Sequence, residues 1–497
     1  MPLSNVAEPP VNVSPESEFK RGLSLLDATM LVVGSMIGSG IFIVSADIAR
    51  QMNSPGGLLF VWVASGLITV FGALSYGELA AAMPKAGGQY VFLREGLGHL
   101  PGFLYGWTLF LVIQTGTIAA VAVAFAKFLG VFFPAVSPTL FASFGKMPVP
   151  GGVIELGLSW QRVVAIAIIV LLTAVNMRGL REAKWIQNTF TFAKTGALLG
   201  LILLAFVIGR NAGAIGSNFN MMWADTVSGP RTTSFLGMEL VLPAVLLAFG
   251  AAMVGSLFSS DAWNNVTFAA AEVKNPQRNL PLALALGTGL VTGLYLLANV
   301  AYLMVLRLSA IQNAPEDRVG TLAMREMLGD TGLYLMAAAI LISTFGCING
   351  LILAGARVYY AMARDGLFFE SAGRLSPTTH VPTWALLVQG IWTAFLTLTG
   401  SYGQLLDYVV FAALIFYVLT MVALFSLRIK RPEMERPYRA FGYPVIPALY
   451  MASALFIALL LLVARPQFSF AGLFLVLLGV PVYYLWNSRR TAAQRAV

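Results

Sequence analysis

The chain has 497 residues, of which 58% are hydrophobic and 11% charged, with a formal net charge of +9. Soluble domains carry about 25% charged residues, so this composition excludes a water-soluble protein and points to an integral membrane protein of many spans. It also excludes nucleic acid as the reason for the basic balance, which concerns loop topology instead. The single cysteine, Cys347, rules out an intramolecular disulfide.

In chain order, residues 1–19 form a short polar, proline-containing tail, and the first 25 residues hold no apolar run, so no cleavable signal peptide is expected. Apolar segments bounded by turn residues or charges then predict twelve spans. They lie at 26–49, 57–83, 101–129, 161–176, 185–209 and 240–270, then at 281–306, 333–363, 383–400, 404–427, 443–464 and 469–487. The fourth and ninth are short for a hydrocarbon core of about 30 Å. The fold class expected is an all-α polytopic membrane protein with 12 transmembrane helices. Twenty basic residues, including Lys85, Arg178 and Arg428, fall in one set of loops and nine, including Arg50, Arg162 and Arg465, in the other. The richer set marks the cytoplasmic side and places both termini inside. The longest connections, 130–160, 210–239 and 307–332, are rich in Gly, Pro, Ser and Thr and read as short outer caps.

Two spans are interrupted in the middle. The first reads Val33-Gly34-Ser35-Met36-Ile37-Gly38-Ser39-Gly40-Ile41-Phe42, the second Gly255-Ser256-Leu257-Phe258-Ser259-Ser260-Asp261-Ala262-Trp263-Asn264-Asn265. Broken backbone at bilayer depth is tolerated only where it lines a cavity or is buried in protein, and such breaks in corresponding halves point to a transport site. Glycines at 38 and 40 permit unwinding. The freed N–H groups and the Ser39 hydroxyl then favour a carboxylate, and the carbonyls near Met36 and Ile37 an ammonium. A zwitterionic amino acid suits both. The competing reading makes Gly34 and Gly38 a small-residue packing face. In the second break an unpaired Asp261 would cost about 2.5–3.5 kcal/mol on insertion scales. It is therefore expected to receive an amine, bind a proton or pair with a base, with Phe258 and Trp263 as aromatic walls or lids.

Other buried polar groups follow the same cost argument. Lys194, deep in the fifth span, must be paired or neutral. Glu78 and Glu272 lie near inner span ends, close to Lys85 and Lys274, and are expected in structural or gate salt bridges. Lys127, near the outer end of the third span, is expected to snorkel to the interface. The mid-span amides Gln114, Asn176, Asn299 and Asn349 are expected to bond between helices. His99 and His380 have no metal-ligand neighbourhood, no nucleophile–base cluster is visible, and no GxxxxGK[ST] phosphate loop is present. No metal, cofactor or enzymatic activity is expected.

Four tracts resemble a known family. VGSMIGSGIF at 33–42 and FAAAEVKNPQRNLP at 268–281 are similar to the first- and sixth-helix signatures of amino acid–polyamine–organocation transporters. SYGELAAAMPKAGGQYVFLREGLG at 75–98 resembles their second helix and inner re-entrant loop. FTFAK at 190–194 and the Trp263-Asn264-Asn265 tract resemble the L-type amino acid transporter branch. The resemblance implies a leucine-transporter-type fold with a 5+5 inverted repeat and broken helices 1 and 6. Its parts would be a cytoplasmic tail 1–25, repeat 1 over 26–209, repeat 2 over 240–427, two further helices over 443–487 and a tail 488–497. It implies that the substrate carboxylate sits on Ser39, Gly40 and the backbone of Gly38. The amino group would sit on carbonyls near Ile37 and at Phe258 and Ser259, with Phe258 an outer gating aromatic and Asn264 a pocket residue. Lys194 would stand in for a sodium ion between the first and eighth helices, with Ser343 and Thr344 as neighbours. Lys194, Ser343, Thr344, Phe258 and Trp263 would thus serve coupling and gating.

Two departures matter. The family often has glycine where this chain has Asp261, which raises small polar or cationic substrates. Loop 130–160 lacks the cysteine by which animal members join an accessory subunit, so no disulfide-linked partner is implied. The function expected is sodium-independent secondary transport of amino acids, by proton symport or exchange, in a bacterial inner membrane. The alternatives are a cationic amino acid or polyamine antiporter and, from another class, a channel or a non-transporting nutrient sensor.

Overall fold

A computed structural model describes residues 19, 21–149, 152–235, 238–399 and 402–495; most of the expected N-terminal tail lies outside them. The first predicted span is three helices, α1 (Leu25–Met36), α2 (Gly40–Ile43) and α3 (Ser45–Met52). Ser24 caps α1 in a reciprocal pair with Asp27, whose carboxylate accepts the Ser24 N–H at 2.8 Å. Then come α4 (Pro55–Ala82), α5 (Gln89–Leu97), α6 (His99–Thr108), a π-helical turn Leu109–Ile113, α7 (Gln114–Leu129), α8 (Trp160–Met177), α9 (Leu180–Val207) and α10 (Ala212–Phe219). Serine hydroxyls cap α4 (Ser54) and α8 (Ser159), and Pro55 opens α4 where no N–H is needed.

The second half holds the other broken span, α11 (Ala244–Ser259) and α12 (Asn265–Phe268), followed by α13 (Pro276–Val305) and α14 (Leu308–Gln312). It continues with α15 (Val319–Arg364), α16 (Thr383–Thr397), α17 (Tyr402–Lys430), α18 (Val445–Ala464) and α19 (Pro466–Arg495). Helix α15 is broken at Gly329, whose φ of 64° separates a lead-in over 319–328 from the apolar helix over 330–364. The last helix runs through residues expected to be a tail.

Among the described residues ten helices are long and apolar enough to cross a membrane, and α11 and α16 are shorter apolar helices. The protein is an integral membrane protein. The chain is mostly helical but not wholly so. Two antiparallel hairpins fill connections expected to be plain caps, β1 (Leu140–Val149) with β2 (Gly152–Ser159), and β3 (Pro230–Phe235) with β4 (Met238–Pro243). Pairing in these hairpins satisfies the backbone locally.

Helices pack in two groups. One sets α4 along α13, with α1 on α13 and α11 on α4; the other joins α7, α8, α15 and α16. Helix α9 lies against α1 and α15 and bridges them, and α17 contacts α7 and α11.

Candidate functional site

The two breaks meet in the middle of the molecule. A Cβ added at Gly40 would stand 2.0 Å from Ser259 Oγ and 3.1 Å from Ser259 Cα. The Tyr295 hydroxyl spans both breaks, lying 2.9 Å from the Met36 carbonyl and 3.1 Å from that of Ser259. Glycine serves space here rather than unusual dihedrals. The chain leaves helix at Ile37 (φ −74°, ψ 92°), and neither Gly38 nor Gly40 takes a positive φ. A Cβ at Gly38 would press on Cys347 Sγ at 3.0 Å, and one at Gly34 would meet the Gln187 side chain at 2.0 Å. The second break does use a left-handed residue, Ala262 at φ 64°.

Carbonyls and N–H groups of the first break have opposite fates. Lys194, fully buried, donates to Gly34 O at 2.5 Å, Ile37 O at 2.6 Å and Ser343 O at 3.4 Å. The Ser343 hydroxyl donates to Gly38 O at 3.0 Å and approaches Ile37 O at 3.3 Å; the Cys347 thiol donates to Ser35 O at 3.1 Å. Ile37 O is thus met by the Lys194 ammonium, with the Ser343 hydroxyl beside it, so an ammonium ligand there competes with a protein donor. The N–H groups of Gly38, Ser39, Gly40 and Ile41, by contrast, have no acceptor among the described residues. What stays open is a set of donors at a helix start, which favours an anion. Thr344 does not join the cluster, because its hydroxyl bonds Ile340 O at 2.8 Å in its own helix.

Around the second break, Asp261 is half-buried and accepts from the Tyr417 hydroxyl. Trp263 stacks on Tyr417 with ring centroids 5.8 Å apart and meets Tyr76 edge-on at 4.8 Å. Asn264 donates to Gln89 Oε1 at 2.8 Å, and Gln89 donates onward to Thr420 at 3.0 Å. Two cavities of about 20 Å³ flank Asp261, one lined by Gln89, Tyr105, Asn264 and Asn265, the other by Thr69, Ser260, Trp263 and Tyr450. Each has room for about one water molecule. Asn265 Nδ2 is buried with no partner among the described residues. Phe258 meets Tyr402 edge-to-face at 6.1 Å, and the Tyr402 hydroxyl bonds the Ser39 hydroxyl at 3.1 Å. Beyond this thin layer, on the face that carries the hairpins, opens a cavity of about 670 Å³.

The opposite face is tied by ion pairs with partners other than the sequence neighbours. Glu272 pairs with Arg357 at 2.8 Å, both within 2% of full burial. Glu78 takes Arg428 at 2.5 Å and Arg436 at 3.2 Å, and accepts the Ala440 N–H. Tyr90 and Arg94 both donate to Asp365, and Glu95 bonds Arg94 at 2.9 Å and Arg431 at 3.0 Å. Burial works to raise the Glu95 carboxyl, but those two guanidinium groups outweigh it and hold it below the usual range. Residues 22 and 23 add a backbone clasp, both donating to Glu272 O at 2.9 Å. The amides behave as interhelical links, Gln114 to Leu351 O at 2.7 Å and Asn176 to Asn349 at 3.0 Å, while Asn299 receives the Ser45 hydroxyl at 2.7 Å. Lys127, in the last turn of α7, lies on the wall of the cavity on the hairpin face.

Tyr295, Tyr402, Tyr417 and Gln89 were not singled out by sequence. A hydroxyl within an apolar span needs a partner, but which of 16 tyrosines faces the breaks is a property of the packing.

The amino acid permease family model matches residues 23–484. The chain is 28% identical over 473 residues to the b(0,+)-type amino acid transporter 1 of Mus musculus, covering 94% of this chain and 88% of that one. It is 30% identical over 488 residues to the human Asc-type amino acid transporter 1 (96% and 85%), and 30% over 491 residues to the Mus musculus large neutral amino acids transporter small subunit 2 (96% and 85%). A match across nearly the whole chain, with relatives that are transporters and not enzymes, identifies it as a member of the amino acid permease family, in the L-type branch of the amino acid–polyamine–organocation superfamily.

Proposed function

We propose that the protein is a sodium-independent secondary transporter of amino acids that works by alternating access around the two breaks. The observation that carries this is the junction of Gly40 with Ser259, where two broken helices meet and leave the N–H groups of 38–41 without acceptors among the described residues. A substrate carboxylate sits on those N–H groups and on Ser39, and its side chain extends toward Asp261 and Asn264. The amino group lies at the sixth-helix break by Phe258 and Ser259, and reaches Ile37 O only as Lys194 or Ser343 yields it. Lys194 fills the place of a coupling cation, holding the first and eighth spans together through backbone carbonyls. Phe258 and Tyr402 form the outer lid, with Trp263 packed behind Asp261.

Twelve spans in a 5+5 inverted repeat, 26–209 and 240–427, fit the contacts between counterpart elements. Helix α4 packs on α13, α7 on α15, α8 on α16, and the two broken spans touch. Helices α18 and α19 are additions outside the repeats. Both termini lie in the cytoplasm and the hairpins face outward, on the strength of the basic loop bias, and the short loops fit a bacterial inner membrane. No disulfide-linked subunit is involved, since Cys347 is buried. Asp261 and the unpartnered Asn265 amide favour a second reading on substrate, a cationic or small polar amino acid or a polyamine taken by exchange.

Purified protein in liposomes tests the proposal with an amino acid panel, with and without proton and sodium gradients and internal amino acid. Saturable uptake, indifferent to sodium and driven by a proton gradient or accelerated by internal substrate, is expected. A linear, ohmic flux would indicate a channel, and binding without flux a sensor.

A further inference from the structure

Helix α9 meets α1 through a series of polar side chains at helical spacing. Residues 187, 188, 191 and 194 fall on one side of α9, and 27, 30, 34 and 37 on one side of the first broken span. Lys194 takes the two positions nearest the break, Gly34 O and Ile37 O. Further from the break, Asn188 donates to the Asp27 carboxylate at 2.6 Å. Gln187 and Thr191 both donate to Met30 O, at 3.4 Å each. The Gln187 side chain is buried in a slot between two glycines. A Cβ added at Gly34 would collide with its amide and with the Thr191 hydroxyl, and one at Gly350 of α15 would stand 2.8 Å from Gln187 Oε1. That oxygen accepts from Asn349 at 3.4 Å, and Asn349 accepts from Asn176 of α8 at 3.0 Å. One side chain of α9 thus registers α1 against α15.

Lys194 reaches only the last turn of α1 and its cap. On the side of α9, the earlier turns are held by Asn188, Gln187 and Thr191. The bonds to Met30 O are long, and hydrogen bonds of that length are weak, so this contact can open without a large barrier. The first break follows directly on α1, and a shift of α1 away from α9 carries the N–H groups of 38–41 with it. We propose that Gln187, Asn188 and Thr191 are positioning residues that dock α1 on α9, and that the donor set at 38–41 is assembled only while α1 is docked. The proposal rests on the reading of those N–H groups as the seat of an amino acid carboxylate. Linkage then runs in both directions. Loosening α1 weakens ligand binding, and a bound ligand draws α1 back onto α9.

The single cysteine supplies the readout. Cys347 is buried and its thiol bonds Ser35 O of α1 at 3.1 Å, so docked α1 shields it. The rate of its alkylation by N-ethylmaleimide, followed by intact mass on the purified full chain, measures undocking. Wild type is expected to react slowly. Gln187→Ala, Asn188→Ala and Thr191→Val should each react about fivefold faster or more, the population shift for at least one lost hydrogen bond, and Thr191→Ser should match wild type. Asn218→Ala removes a buried amide far from α1, bonded to Leu303 O and Leu306 O at 2.8 Å, and should also match wild type. A mixture of the common L-amino acids should slow the three fast variants toward the wild-type rate, which general loosening of the fold would not do. Should Gln187→Ala fail to fold, the half-buried Asn188→Ala and the nearly isosteric Thr191→Val carry the test. Wild-type rates in all three, with amino acids still protecting Cys347, overturn the positioning role and leave the central reading standing. Equal acceleration in Asn218→Ala also overturns it. Acceleration of the three alone, with no protection by amino acids in any protein, overturns the central reading and with it the link between docking and binding.

Discussion

The two breaks do different work with the same device. In the first, every freed carbonyl from residue 34 to 38 is met by a protein donor, from Lys194, Cys347, Tyr295 or Ser343, while the N–H groups from 38 to 41 find no acceptor among the described residues. In the second, the backbone is turned by Ala262 and the chemistry comes from side chains, with Asp261 on Tyr417 and Asn264 on Gln89. A break made of backbone offers the same donors to any molecule with a carboxylate. A break furnished with side chains discriminates. On the proposed function, the contrast gives affinity for the common part of an amino acid to the first break and choice among amino acids to the second.

The comparison can be broken at four points. The largest effect is expected at Gly40, where a leucine side chain has no space beside Ser259. Overpacking of this kind costs about 1–3 kcal/mol, and liposome uptake should vanish for every substrate alike; a variant that loses only some substrates would refute the division of labour. Lys194→Met comes next. It strands the carbonyls of Gly34 and Ile37, at about 1–3 kcal/mol for each buried unsatisfied group, so exchange should fall at least tenfold with a lowered melting temperature. Unchanged exchange and unchanged dependence on a pH gradient would remove Lys194 from coupling.

At the second break the effects are smaller and selective. Asp261→Asn keeps the shape and removes the charge. Uptake of cationic substrates should drop about tenfold relative to neutral ones, the cost of a lost charge-assisted hydrogen bond, and competition assays would read the ratio. An equal loss for both classes would make Asp261 structural. Smallest is Tyr417→Phe, which deletes one hydroxyl donor to Asp261 and keeps the ring stacked on Trp263. About 1 kcal/mol is at stake, and a several-fold change in the same ratio, with total neutral uptake preserved, is the expected reading.

Much of this was legible before any coordinates. The spans are local sums of apolar residues, and the breaks at 36–40 and 259–265 stand out because polar groups at bilayer depth are expensive. Lys194 could be singled out for the same reason. Its partners Gly34 and Ile37 lie more than 150 residues earlier in the chain, and only packing of α9 on α1 and α15 delivers them. The salt bridges of Glu78 and Glu272 were foreseeable, since each carboxylate had to be matched. Arg428 and Arg357, not the adjacent Lys85 and Lys274, supply the match because the helix ends converge there. Thr344 shows the opposite outcome, a plausible neighbour by number that faces its own helix.

The sequence alone determined that the protein lives in a membrane, where its helices run and where two of them are interrupted, because hydrophobicity and the cost of buried polarity are counted residue by residue. Tertiary structure decided what each polar group meets. It gave the glycines of the first break a role in close approach instead of unwinding. It set Lys127 on the wall of the cavity on the hairpin face and folded two loops into hairpins. It also placed Tyr402 between that cavity and Ser39. Those are matters of which surfaces face each other, and direction is settled only when distant segments pack.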